Sequence, residues 1–306
     1  MYVLVTGGAG FIGSHTVEAL LAEGATVRIL DNFSTGKRAN LPHHPKLDIQ
    51  AGDIRDAAVV GQAMQGVTHV LHLAAQVSVH ASVESPPTSC SHNVLGFVTV
   101  LHAARSHGVQ RLVYASSAAV YGVPDEVPVA ERAPVRPISP YGLEKSIDEH
   151  YAALFQRLFG FPSLGLRYFN VYGPRQDPCS PYAGVISKFV HCAEQHRPLT
   201  VYGDGLQTRD FVFVRDVAAI NVRALHSTMT GVCNVGTGTR WCLLDLIETL
   251  SHCLGNPLRL TYAPAQAGDI PHSGARIDVM RDAFGIRHLT PLSDGLNALL
   301  EERVNV

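Results

Sequence analysis

Eight residues near the start of the chain, Thr6-Gly7-Gly8-Ala9-Gly10-Phe11-Ile12-Gly13, constrain the fold more than any other feature. They follow an apolar run at residues 3–6 and open an amphipathic stretch at residues 11–23. A glycine-rich turn between strand and helix lets backbone approach a phosphate closely. The helix start then turns its unpaired amide groups and the positive end of its dipole towards that anion. Gly7, Gly10, Phe11, Ile12 and Gly13 are therefore expected to border a bound dinucleotide.

Apolar runs at residues 26–30, 47–50, 69–73, 112–115 and 163–168 alternate with amphipathic segments at 57–64, 94–106 and 141–159. Strands that are apolar throughout, separated by helices, predict an α/β fold with a Rossmann-like, doubly wound parallel sheet covered on both faces. From about Gln176 the rhythm loosens, with Pro178, Pro181, Pro198, Gly203 and Gly205 marking turns. The expected division is a dinucleotide-binding domain over 1–175, joined again by about 211–240, and a smaller mixed α/β region over 176–306. Within the returning stretch, 231–235 reads as a strand of the main sheet. No tether separates the two parts, so they are expected to pack tightly.

With 16% charged residues and a net charge of -2, the chain shows no electrostatic preference for nucleic acid or an anionic membrane. The start lacks a basic segment and a cleavage site, and no stretch approaches the roughly 20 apolar residues of a membrane span. A cytoplasmic protein is expected. Cys90, Cys179, Cys192, Cys233, Cys242 and Cys253 lack Cys-x-x-Cys spacing, and the 16 histidines form no ligand set, so no metal is expected.

Asp31 closes the second strand 18 residues after Gly13. A carboxylate there accepts hydrogen bonds from a ribose diol and repels a 2′-phosphate, which favours NAD over NADP. Taken alone, Asp31 could cap the turn at Asn32-Phe33-Ser34. Asp53, in Gly52-Asp53-Ile54, could approach the adenine amino group or simply make a turn. Tyr141 and Lys145 lie one helical turn apart, 24 residues or more after Ser117. A cation beside a phenol favours the phenolate, which suits the pair to moving a proton near neutral pH.

With these pieces assembled, the chain resembles the extended short-chain dehydrogenase/reductase family, and within it the UDP-hexose and UDP-N-acetylhexosamine 4-epimerases. The resemblance spans nearly the whole chain. It rests on the 6–13 loop, Asp31-Asn-Phe-Ser-Thr-Gly36, Leu73-Ala-Ala75, Ser116-Ser-Ala-Ala-Val-Tyr-Gly122, Pro140-Tyr-Gly-Leu-Glu-Lys145 and Leu166-Arg-Tyr-Phe-Asn-Val-Tyr-Gly-Pro-Arg175. Val201-Tyr-Gly-Asp-Gly205, Thr208-Arg-Asp210 and Asn234-Val-Gly-Thr-Gly238 extend it.

The resemblance implies that Tyr141 is the acid/base, that Lys145 binds the nicotinamide ribose and that Ser117, or else Ser116, holds the sugar 4-oxygen. It adds cofactor contacts from Asn32, Ser34, Thr35, Gly36, Ile54, Leu73, Ala74, Ala75 and Tyr168. On the substrate side it implies Asn170 and Arg209 at the diphosphate and Val201 and Tyr202 at the uracil. Arg209 could instead pair with Asp204 or Asp210. Asp269 also falls in the substrate region. Many relatives carry a second diphosphate arginine where this chain has Gln266, so the diphosphate would depend more on Arg209 or recruit Arg276.

Dehydratases and decarboxylases of this scaffold carry acidic residues where Ala118 and Ala119 stand here, which leaves epimerisation: oxidation at C4, rotation of the bound 4-keto sugar and return of the hydride. Ser273 falls where glucose-restricted forms have a bulky tyrosine, and a small side chain leaves room for a 2-acetamido group. The expected reaction is UDP-N-acetylglucosamine/UDP-N-acetylgalactosamine interconversion. UDP-glucose/UDP-galactose epimerisation is the first alternative, and a non-catalytic NAD-sensing regulator is an alternative of another class. The helices at 94–106 and 141–159 have counterparts in similar proteins that pair as a four-helix bundle, so a homodimer is expected.

Overall fold

The computed structural model describes residues 1–178, 184–265 and 270–304. Its first half runs β1 (Tyr2–Thr6), α1 (Phe11–Ala22), β2 (Thr26–Asp31), β3 (Leu47–Ala51), α2 (Ala57–Ala63) and β4 (His69–His72), with no α-helix between β2 and β3. Two short helices follow, α3 (Val79–Glu84) and α4 (Pro86–Cys90), and a π turn at Ser91–Leu95 leads into α5 (Gly96–Ser106). Next come β5 (Arg111–Ser117), α6 (Pro140–Phe159) and β6 (Ser163–Tyr168). The second half comprises β7 (Asn170–Tyr172), α7 (Val185–Glu194), β8 (Leu199–Tyr202), β9 (Thr208–Arg209), β10 (Phe211–Phe213), α8 (Val214–His226) and β11 (Gly231–Val235). It continues with β12 (Trp241–Cys242), α9 (Leu243–Leu254), β13 (Leu260–Ala263), α10 (Asp278–Phe284) and α11 (Leu292–Val304).

Seven parallel strands form the main sheet in the order β11-β6-β5-β4-β1-β2-β3. This is the doubly wound α/β architecture that the alternating pattern predicts, and residues 231–235 do return to its edge against β6. Val3, Leu4, Val5, Val27, Ile29 and Leu30 are all inaccessible to solvent, because each strand is covered on both faces. One face packs Val17, Leu20, Val217 and Ile220 of α1 and α8, and the other packs Val60, Phe97, Leu101 and Ala152 of α2, α5 and α6. Neighbours of β1 lead off in opposite directions, which opens a crevice beyond its carboxyl end.

The remaining strands form three pairs, β10 with β7, β12 with β9 and β13 with β8. Ile186, Phe189, Leu246, Leu250 and Leu296 cover them with a third apolar core. Among the described residues, no helix is long and apolar enough to cross a membrane.

Candidate active site

At the crevice the chain passes so close to itself that side chains cannot be accommodated. Gly7 has φ +70, and a Cβ there would stand 2.7 Å from the backbone nitrogen of Ala74. A Cβ on Gly13 would stand 2.2 Å from the Gly7 carbonyl oxygen. These contacts bind the β1 turn, the start of α1 and the end of β4 into one rim, so Leu73, Ala74 and Ala75 border the same crevice. Asp31 is buried at the end of β2, where Oδ2 accepts from Ala9 N at 2.9 Å and Oδ1 from Phe33 N at 2.8 Å. A Cβ at Gly36 would lie 3.0 Å from both oxygens, so the 32–36 loop closes tightly over the carboxylate. Each oxygen keeps a second lone pair for a ribose hydroxyl.

Further along the rim, Asn32 Nδ2 donates to Asp53 Oδ2 at 3.2 Å, and Arg55 Nη2 donates to the same oxygen at 2.8 Å. The hydrogen-bonded Arg55 holds the Asp53 carboxyl well below the usual carboxylate range. Ser34 and Thr35 are exposed there, while Ile54 is buried against Gly96. Phe11 and Ile12 lie partly buried against the third core. Tyr168 ends β6 opposite Ser117 of β5. It is buried, and its hydroxyl donates to Asn221 Oδ1 at 2.7 Å within the layer joining α1 and α8.

Alternation along β5 sends Ser116 and Ser117 to opposite faces, and their partners separate the two roles. Ser116 Oγ donates to Glu149 Oε1 at 2.6 Å, and Glu149 is clamped by Arg167 at 2.8 and 2.7 Å. Arg167 continues to the Tyr121 hydroxyl at 2.8 Å, which donates to Asn234 at 2.6 Å. Ser116 is thus taken up by a buried structural network. Ser117 Oγ accepts from Ala119 N at 3.1 Å, which leaves its proton for a further acceptor.

α6 starts firmly, with Ser139 Oγ accepting from Gly142 N at 3.1 Å and Pro140 in its first turn. Ser82 Oγ accepts from Tyr141 N at 3.1 Å, which ties α3 to the same turn. Tyr141 is half-buried, Lys145 is buried one turn later, and Asp148 Oδ2 lies 3.3 Å from Lys145 Nζ. Glu144 is buried too, and its Oε2 accepts from Ser89 Oγ at 2.7 Å and Asn93 Nδ2 at 2.6 Å. Asn93 Nδ2 also reaches the Gln76 carbonyl at 2.9 Å, so the π turn anchors the segment after β4. Sequence reasoning missed Glu144, Asp148, Glu149 and Asn93. The available signal was charge on the inward face of α6, at helical spacing from Tyr141 and Lys145.

At the substrate end, Arg209 pairs with Trp241 across β9 and β12. Its Nη1 donates to the carbonyls of Thr208 at 2.9 Å and Pro271 at 3.3 Å. Ser273 N donates to Thr208 O at 3.0 Å, which sets the half-buried Ser273 alongside β9. Asp210 is buried and accepts from Thr237 N, Gly238 N and Ala275 N at 2.7, 3.0 and 3.1 Å, so its carboxylate fixes loops around this strip. Asp204 Oδ1 accepts from Leu206 N at 2.9 Å. Asn170 is exposed, Val201 is buried in the third core and Tyr202 is 42% exposed. Arg276 is exposed and borders a separate 350 Å³ cavity under the 123–136 loop. Gln266 and Asp269 lie outside the described residues.

A sheet crevice with a phosphate-ready helix start and a diol-binding carboxylate, beside a Ser/Tyr/Lys set, defines a dinucleotide-dependent enzyme acting on an alcohol. The comparisons agree. A sequence model of the NAD dependent epimerase/dehydratase family matches residues 3–236, and the chain belongs to that family; its cofactor is NAD. It is 38% identical over 307 residues to a UDP-glucose 4-epimerase of Mycolicibacterium smegmatis, covering 98% of each chain. Among solved structures, the UDP-N-acetylglucosamine 4-epimerase of Methanobrevibacter ruminantium, in complex with UDP-N-acetylmuramic acid, superposes with TM-score 0.96 at 35% identity, covering 99% of this chain and 98% of that one. The Thermotoga maritima UDP-glucose 4-epimerase with UDP-glucose gives 0.95 at 34% identity, covering 100% and 99%.

Proposed function

We propose that this chain is a UDP-sugar 4-epimerase that interconverts UDP-N-acetylglucosamine and UDP-N-acetylgalactosamine. The observation that carries the choice of sugar is Ser273. Its backbone N–H donates to Thr208 O, and the resemblance puts at its position the residue that admits or refuses a 2-acetamido group.

The 6–13 loop and Asp31 hold the NAD, which when bound supplies an acceptor and donor of hydride at C4. Tyr141 takes the proton of the 4-hydroxyl and later returns it, and Lys145 supplies the nearby positive charge. Ser117 donates to the 4-oxygen in both orientations of the sugar. Arg209 grips the diphosphate while the oxidised sugar turns, since a guanidinium fork can hold two oxygens at once.

Incubation with UDP-N-acetylglucosamine and, separately, UDP-glucose, followed by resolution of the C4 isomers, tests the choice. Conversion of UDP-glucose alone would overturn it. Ser273→Tyr is expected to lower turnover of the acetylated pair by about tenfold or more while sparing the unacetylated pair. UDP-glucose/UDP-galactose epimerisation is the second reading, supported by the name of the M. smegmatis relative.

The same reading includes a homodimer. α5 already buries Phe97, Val100, Leu101 and Ala104 against the sheet side, yet Leu95, Leu143, Tyr151, Leu158 and Phe159 stay exposed along the π turn and α6. Their burial against a second copy accounts for that extra stripe. Sedimentation at a monomer's mass would remove the homodimer from the proposal.

A further inference from the structure

Lys145 and Asp148 form a buried ion pair with side chains 2% and 0% exposed, and Lys145 lies one helical turn after the proposed acid/base. One carboxylate oxygen, Oδ2, lies 3.3 Å from the ammonium, and the other, Oδ1, is buried without a hydrogen-bond partner among the described residues. Such an arrangement is costly, because one ion-pair contact only partly offsets the desolvation of both charges and the second oxygen has no donor.

The groups around it are accounted for. On α6, Glu144 is bonded to Ser89 and Asn93, and Glu149 to Arg167 and Ser116. On β4, His72 is fully buried with Nδ1 2.8 Å from Thr6 Oγ1, and burial pulls its imidazole down to about 3, so it is neutral. On β5, burial pushes the Tyr114 phenol well above its ordinary range, so it too is uncharged. Lys145 is the one direct partner of the Asp148 carboxylate among the described residues. Burial raises the Asp148 carboxyl to about 7, against the pull of Lys145.

We infer that Asp148 is a positioning residue for Lys145, holding its ammonium on the inner face of α6 and setting how much of that positive charge is felt at Tyr141. With Asp148 ionised, the pair is neutral and the phenolate gains little from the lysine. With Asp148 protonated, the ammonium acts unopposed. This inference rests on the assignment of Tyr141 as acid/base. The acid limb of kcat is then expected to carry the ionisation of Asp148 as well.

The test is the pH dependence of kcat for Asp148→Asn, which keeps an acceptor for the ammonium but never ionises. The acid limb is expected to narrow to a single ionisation and move to lower pH by about one unit, the scale set by one charge within a few ångströms. Asp148→Ser, smaller and also uncharged, is expected to move it in the same direction and to weaken NAD binding, because it cannot hold Lys145 in place. A role in stability alone would lower the melting temperature and leave the shape of the limb unchanged. Profiles of both variants that superpose on the unsubstituted enzyme would overturn the inference. Tyr141→Phe separates the two levels: if it turns over normally the acid/base assignment fails, whereas its inactivity together with unshifted Asp148 variants removes the role of Asp148 only.

Discussion

The cofactor crevice and the substrate strip are built by opposite means. The crevice is backbone: Gly7 and Gly13 in contact with the chain around them, and a carboxylate wired to Ala9 and Phe33, all at the end of a seven-stranded parallel sheet. The strip is side chains on two-residue strands, with Arg209 braced by carbonyls of Thr208 and Pro271 and with Ser273 alongside. Burial of the sheet on both faces makes the first part rigid and intolerant of added atoms. Short pairings make the second part alterable, so that one side chain can be exchanged there without disturbing the fold.

Tyr141→Phe should have the largest effect, since it removes the proton carrier between the two regions. A loss of kcat of about 10²- to 10⁴-fold is expected with NAD still bound, read by turnover and by cofactor content after purification. Gly13→Ala should break the cofactor side alone. The added methyl cannot share space with the Gly7 carbonyl, so the loop must shift, at a cost of about 1–3 kcal/mol in stability and with loss of bound NAD. Calorimetry and cofactor retention equal to the unsubstituted protein would show that the rim is less rigid than its contacts imply.

Arg209→Gln should do the reverse, raising the KM for the UDP-sugar about tenfold while NAD affinity stays unchanged, as titration of each ligand would show. Equal losses for both ligands would erase the contrast between the regions. A further prediction concerns the sheet itself. His72 is buried neutral, with its imidazole held down to about 3 by burial, whereas in the unfolded chain it titrates near its ordinary value of 6.5. Its contribution is present above that unfolded value and is lost as pH falls towards the folded one. Between pH 7 and 5 it accounts for about 2 kcal/mol of lost stability. In the His72→Asn variant, which has no imidazole to charge, urea midpoints should fall less over that interval.

Much of the cofactor side was legible because it is local. Glycine loop, helix start and strand-end carboxylate sit within 31 residues, and their spacing already implies the geometry. The strand returning at Gly231–Val235 was legible as well, from its apolar run between turn signals. The charges on α6 were overlooked because a helix with Glu144, Asp148 and Glu149 reads as amphipathic until its inward face is known. Tyr168 shows the converse, a residue within a recognisable motif whose hydroxyl is engaged by Asn221, far along the chain.

The sequence by itself determined the parallel α/β sheet, the NAD crevice and the one-turn spacing of Tyr141 and Lys145, since each follows from contiguous residues and the periods of helix and strand. Only the tertiary structure decided that Ser116 belongs to Glu149 while Ser117 stays available, that Ser273 is bonded to Thr208 of β9, and that Asp148 is sealed against Lys145. Those relations depend on which distant segments are brought together and on how completely water is excluded there. Burial changes the energy of a charge or an unpaired oxygen far more than spacing along the chain can reveal.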